Sequence, residues 1–194
     1  MSNRHEVIYL TGPPAVGKTT LIARLRNAYP DVVTFVYSEL LARHMSEGSK
    51  AKVSQKKLRE QSAQIVTEKD IEAVDQFLIR EVSRLRLRCH VVIDSHPVTK
   101  EGYGFRVTAF SIPMLRALMP TRICMLYANP RVIIKRIAKH SKGRPTVTKN
   151  EADLHCALQS NVAVCYGLQV GAPIYFFDVS RSVDVALAQL SAWF

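Results

Sequence analysis

Eight residues near the start of the chain, Gly12-Pro13-Pro14-Ala15-Val16-Gly17-Lys18-Thr19, carry chemistry through their spacing. They fit G-x-x-x-x-G-K-[ST], the pattern of a loop that cradles phosphates. Gly12 and Gly17 let the backbone bend so that successive N–H groups converge on a polyphosphate. Lys18 is placed to reach the β- and γ-phosphates, and the Thr19 hydroxyl is a ligand type suited to Mg²⁺. The candidate nucleotide-binding residues are therefore Gly12, Pro13, Pro14, Ala15, Val16, Gly17, Lys18, Thr19 and Thr20, with Lys18 also a candidate catalytic residue.

Such a loop works only between a strand and a helix. Val7-Ile8-Tyr9-Leu10 before it reads as a buried parallel strand. After it, Leu21, Ile22, Leu25 and Ala28 recur at helical spacing. A second apolar strand, Val91-Val92-Ile93-Asp94, ends in an acid. In a phosphate-loop protein this is the usual place for a Mg²⁺-directed carboxylate, so Asp94 joins Thr19 as a metal candidate. A cap or turn aspartate is the alternative. Residues 95–106 then leave the C-terminal end of that strand, where open α/β sheets bind ligands. Further on, Arg131, Lys135, Arg136, Lys139, Lys142 and Arg144 crowd a short region. Arg136 precedes Arg144 by eight residues across a glycine-containing break, which suits a lid over about 139–149 closing on phosphates; a basic helix face is the plainer reading.

Five strands are expected at 7–10, 32–36, 91–94, 121–127 and 173–178, with helices between them. The predicted fold is α/β: a three-layer sandwich of the P-loop NTPase type, with a five-stranded parallel sheet and helices on both faces. A chain of 194 residues fits a single domain over 1–194, with a small lid and an acceptor-binding insertion at about 38–70. No apolar run is long enough to span a bilayer, so no membrane partner is expected. Four dispersed cysteines without a C-x-x-C pair suggest a reducing, cytoplasmic setting. The 27 basic against 16 acidic residues give a net charge of +11, which suits anionic partners: a nucleotide, another small phosphate acceptor, or nucleic acid. Composition leaves the oligomeric state open.

A phosphate nest with Lys18, a Thr19/Asp94 metal pair and an arginine lid are the parts of a small-molecule kinase. A switch GTPase would want N-K-x-D after the fourth strand, where Tyr127-Ala128-Asn129-Pro130 stands. Ile93-Asp94-Ser95-His96, then Thr99-Lys100 before Gly102-Tyr103, resembles a segment of the archaeal-type adenylate kinases. Leu58-Arg59 is similar to that family's acceptor-side Met-Arg. Asn129-Pro130 with Arg136 and Arg144 is similar to its donor-side lid. The resemblance implies that Gly12 to Thr20 and Arg136/Arg144 bind ATP, and that Ser38, Glu39, Arg59 and the 95–106 loop, with His96, Tyr103 and Arg106, face an acceptor nucleotide. The chain departs from the family where Gly104-Phe105-Arg106 replaces a Leu-Pro-Gly-Leu-Pro run and where His140-Ser141 replaces a lid aspartate. Other classes fit the same parts: a kinase for a nucleoside, a metabolite or a nucleic-acid 5′ end, or an ATPase serving as an assembly or regulatory module.

Overall fold

Val7–Thr11 (β1) and Val91–Asp94 (β3) are buried at every position, as apolar runs are when both faces of a parallel strand are covered. The computed structural model describes residues 5–47, 65–140 and 145–194. Its main sheet is wholly parallel, in the spatial order β2 (Val33–Val36), β3, β1, β6 (Arg122–Tyr127) and β7 (Ile174–Asp178). These are the five expected strands, each within one residue at either end. The chain builds β2 and β3 on one side of β1 and then crosses to the other side for β6 and β7. The crevice beyond the C-terminal ends of β1 and β3 is thus where a ligand belongs.

The helices are α1 (Lys18–Ala28), α2 (Tyr37–Glu47), α3 (Glu68–Leu85), α4 (Ile112–Leu118), α5 (Pro130–Lys139), α6 (Lys149–Val170) and α7 (Asp184–Ser191). Local chemistry sets their ends. Thr67 with Asp70 opens α3 and Thr148 with Glu151 opens α6, each as a reciprocal capping box. Asn129 caps α5 ahead of Pro130. Gly171 stops α6 at a φ of 69°. Side chains of β1 alternate between two cores. Ile8 and Leu10 pack with Leu21 and Leu25 of α1, Ile133 of α5 and Ala186 of α7. Val7 and Tyr9 pack with Leu78 of α3, Leu115 of α4 and Tyr166 of α6. Trp193 is a packing anchor, as a terminal tryptophan would be expected to be: it lies 4.7 Å from the Tyr175 ring and under the Arg122 guanidinium.

Helix α6 can sit this close to the sheet only because Gly167 has no side chain. A Cβ there would meet Ile174 Cγ1 at 2.4 Å and the Ala172 carbonyl at 3.0 Å. Gly167→Ala is expected to destabilise the fold by about 1–3 kcal/mol through overpacking, read as a lower midpoint in urea unfolding with unchanged slope.

One segment differs from its sequence reading. Residues 98–107, expected as a loop, form an antiparallel hairpin of β4 (Val98–Glu101) and β5 (Gly104–Val107), with Gly102-Tyr103 as its turn. The alternating Val98-Thr99-Lys100 and Phe105-Arg106-Val107 around a glycine-bearing two-residue turn are sufficient local cause. Of the expected insertion, the described parts are α2 and the start of α3; residues 48–64, with Arg59, lie outside the described residues. So do residues 141–144 of the expected lid, with Arg144. No described helix is long and apolar enough to cross a membrane.

Candidate active site

The loop between β1 and α1 is held in unusual backbone geometry. Gly12 and Gly17 have φ of 152° and 121°, and Ala15, a residue with a Cβ, sits at 62°. A side chain at position 12 would strike the Leu126 carbonyl at 2.5 Å. Left-handed conformations concentrated in one short loop are typical of ligand-gripping sites. Gly17 caps α1 without a side chain, which leaves the first-turn amides and the helix dipole for an anion.

Lys18 folds back over this loop, its Nζ donating to the Gly12 carbonyl at 2.7 Å and standing 4.0 Å from Asp94 Oδ1. The strand register explains the meeting. Asp94 pairs with Leu10 at the end of β1, and the Ser95 amide extends the ladder to the Leu10 carbonyl at 3.1 Å. Lys18 and Asp94 are both buried. Burial pushes the Asp94 carboxyl above its ordinary range, Lys18 pulls it down, and Glu39 pushes it up. Asp94 Oδ1 accepts no hydrogen bond. A buried carboxylate oxygen left open in this way fits a hard cation. Mg²⁺ there would take Asp94 and the Thr19 hydroxyl, with phosphate oxygens or water completing its shell. Among the described residues no group of three or more His, Cys, Asp or Glu side chains converges as a self-sufficient metal site.

Arg136 is reached through the positioning of α5. Its guanidinium donates to the carbonyls of Ala15 at 3.4 Å, Val16 at 2.8 Å, Val179 at 3.0 Å and Ser180 at 3.3 Å. It ties the outer side of the phosphate loop to the turn after β7. The sequence expectation put it on phosphate; in this structure it holds the backbone that would hold the phosphate.

A cleft of about 1010 Å³ runs from this loop to a second wall made by α2, α3 and the hairpin. Ser38, Glu39, His96 and Arg106 all line it. Tyr103 does not: it sits at the hairpin turn and is 76% exposed. The two-residue turn carries its side chain away from the cleft wall, so the described structure does not bring it to the other candidates.

Lys100, in the loop expected to face an acceptor, also lines the cleft, and two further lining residues, Asp75 and His155, were not site candidates in the sequence reading. Lys100 and His155 dock the hairpin on α6. His155 Nε2 is 3.0 Å from the Val98 carbonyl, which can only accept, so the proton is on Nε2. Burial keeps this ring neutral down to about pH 4, with Lys18 and Lys100 adding to the effect. Phe105 packs edge-on against it at 5.1 Å. Lys100 Nζ meets Glu151 Oε1 at 2.7 Å, while Glu151 Oε2 accepts from the Thr148 amide at 2.8 Å. The Lys100 contact, then the Thr148 bonds, hold the Glu151 carboxyl down to about 2 from an ordinary 4.5. A depressed acid stabilises the fold above its unfolded pKa and loses that contribution as pH falls through the folded one. Thermal midpoints of the wild type and Glu151→Gln should therefore differ at neutral pH and converge as pH falls from about 4.5 to about 2. A difference that stays constant over that window would contradict the assignment.

The sheet order, the P-loop and the cleft together define a P-loop NTPase fold. Solved structures of similar fold include an unliganded sugar kinase from Janibacter sp. HTCC2649 (TM-score 0.55, 14% identity, covering 97% of this chain and 94% of that one). A shikimate kinase from Bacteroides thetaiotaomicron (TM-score 0.56, 17% identity, 96% and 97%) and a putative kinase from Chloroflexus aurantiacus j-10-fl (TM-score 0.56, 14% identity, 99% and 97%) are alike in the same way. At these identities the likeness is one of fold. The chain belongs to the AAA domain family, whose model matches residues 11–155. A comparison with curated proteins finds no match.

Proposed function

We propose that the protein is a nucleotide kinase, transferring the γ-phosphoryl group of ATP to a nucleoside monophosphate by adenylate-kinase-type chemistry. The observation that carries this reading is a single cleft with the phosphate loop on one wall and Ser38, Glu39, His96, Lys100 and Arg106 on the other. At about 1010 Å³ it is at the upper end of the range for one small ligand, roughly 300–1,000 Å³. Phosphoryl transfer asks for alignment and charge neutralisation rather than covalent chemistry. The loop amides and Lys18 bind and orient the donor phosphates. Asp94 and Thr19 would hold Mg²⁺, which when bound would supply neutralising charge to the nucleotide phosphates. Arg136 keeps the loop in shape, and Arg144 serves the transferring group from the lid. Arg106, Lys100 and Arg59 meet the acceptor phosphate, with Ser38, Glu39 and His96 around it.

A conjugate of adenosine and a second nucleoside, joined through five phosphates, spans both halves of such a cleft. Calorimetry should show it binding at least about 100-fold more tightly than ATP, because the second half binds intramolecularly. A conjugate no tighter than ATP would argue against a two-substrate site. The sugar and shikimate kinases of similar fold favour a second reading, a kinase for a hydroxyl-bearing metabolite. Such a protein would phosphorylate the metabolite and gain nothing from the conjugate.

A further inference from the structure

Asp75, on α3, is a half-buried carboxylate in the cleft wall, set against aromatic and apolar side chains. Its Oδ1 accepts the Tyr37 hydroxyl at 2.6 Å. Among the described residues no other donor reaches it, and no cation lies within ion-pair distance. Burial raises this carboxyl above its ordinary value, with the Tyr37 bond pulling the other way. Carboxylates placed like this cost stability unless something donates to them. The surroundings are aromatic and apolar: Tyr37 and Phe110 pack with centroids 5.3 Å apart and a 58° tilt, and Ile71 and Leu41 complete that part of the wall.

We infer that this corner is a base-reading subsite for guanine, with Asp75 accepting from the purine edge while Tyr37 and Phe110 supply the apolar and aromatic wall. The inference rests on the nucleotide-kinase reading and names its acceptor. An ionised carboxylate can only accept. Guanine offers two adjacent donors, N1–H and N2–H, one for each oxygen. Adenine would set its N1 lone pair against the carboxylate beside the single N6 donor. Cytosine presents the same mismatch, and uracil has one N–H flanked by carbonyls. The oxygen shared with Tyr37 retains a second lone pair, so both bonds are available. A site that accepts from two N–H groups rejects a base lacking them strongly, because its buried acceptor is left unpaired.

The test is phosphorylation of GMP, IMP and AMP by the full chain with ATP and Mg²⁺, in the wild type, Asp75→Asn and Tyr37→Phe. For the wild type, kcat/KM should fall from GMP to IMP by about tenfold and from GMP to AMP by about 100-fold or more. Asp75→Asn should bring the GMP-to-AMP ratio close to one, whereas Tyr37→Phe should leave the ratio in place, since the carboxylate remains. AMP used as well as GMP by the wild type would overturn the guanine assignment alone, whether or not Asp75→Asn folds. Equal effects of both substitutions on the ratio would reduce Asp75 to a structural partner of Tyr37. No transfer to GMP, IMP or AMP would overturn the guanine assignment, and no transfer to CMP or UMP either would remove the nucleotide-kinase reading itself.

Discussion

Lys18→Ala is expected to lose phosphoryl transfer by about three orders of magnitude or more, and to lose stability in a pH-dependent way. The first effect follows, on the proposed function, from removing the cation assigned to the donor phosphates, since charge neutralisation is most of the catalysis in phosphoryl transfer. The second follows from what Lys18 does in the protein itself. It is the cation beside a buried Asp94 and it braces the Gly12 carbonyl. Deleting it leaves a buried carboxylate without its partner, a costly arrangement. In the variant the Asp94 carboxyl rises further, so the deficit in thermal midpoint should be largest at neutral pH and shrink as acid protonates Asp94. The double variant Lys18→Ala/Asp94→Asn should regain stability without regaining activity. Unchanged turnover in Lys18→Ala would take the loop out of the mechanism. A stability deficit independent of pH would take Asp94 out of the pairing.

Asp94→Asn separates the two roles of that residue with opposite signs. Activity with Mg²⁺ should fall by about 10²–10³-fold, on the scale of removing one preorganised electrostatic group. Nucleotide binding without metal should change little, because the loop amides and Lys18 remain. Stability should hold or improve. A carboxyl whose folded pKa is raised costs stability above its unfolded pKa, and Asp94 is raised chiefly by burial. A turnover assay with Mg²⁺, isothermal titration of nucleotide with and without the metal, and a thermal melt at neutral pH read all three. Equal losses of metal-free and metal-dependent binding would make Asp94 a structural residue.

Much of this layout was legible in the sequence because the signals are local. Val7 to Leu10 and Val91 to Asp94 are continuous apolar runs, and continuous burial on both faces is what produces them. The phosphate loop is covalently contiguous, so its spacing already contains its geometry. Asn129-Pro130 and Gly171 mark helix ends by chemistry that operates within four residues, while the start of α6 could be read at Thr148 or Asn150 and the structure caps it at Thr148. The hairpin at 98–107 was missed although its signal was present: a glycine-bearing turn between alternating residues was read as part of a ligand loop.

The rest depends on contacts across the chain that no spacing reveals. Arg136 looked like a phosphate-clamping arginine, yet its guanidinium meets carbonyls 43 and 120 residues away. His155 carries no motif; only the fold brings it to Val98, 57 residues away in the chain, on the hairpin that carries Arg106. Asp75 carries no motif, and its position opposite Tyr37 arises because α3 packs beside the start of α2. Tyr103 had motif support and fell at the tip of a turn. Residue type and pattern located the phosphate-loop wall of the cleft, whereas the opposite wall is assembled from elements distant in sequence.

The central claim is that the γ-phosphoryl group goes to an acceptor and not to water. Its most direct test follows γ-labelled ATP with Mg²⁺ in the presence of a panel of nucleoside monophosphates, nucleosides, hydroxyl-bearing metabolites and 5′-hydroxyl oligonucleotides, separating labelled products. Label is expected on a nucleoside monophosphate, in step with ADP released, with little inorganic phosphate. Label appearing only as inorganic phosphate, at a slow rate indifferent to every acceptor, would contradict the claim and make the protein a nucleotide-hydrolysing module.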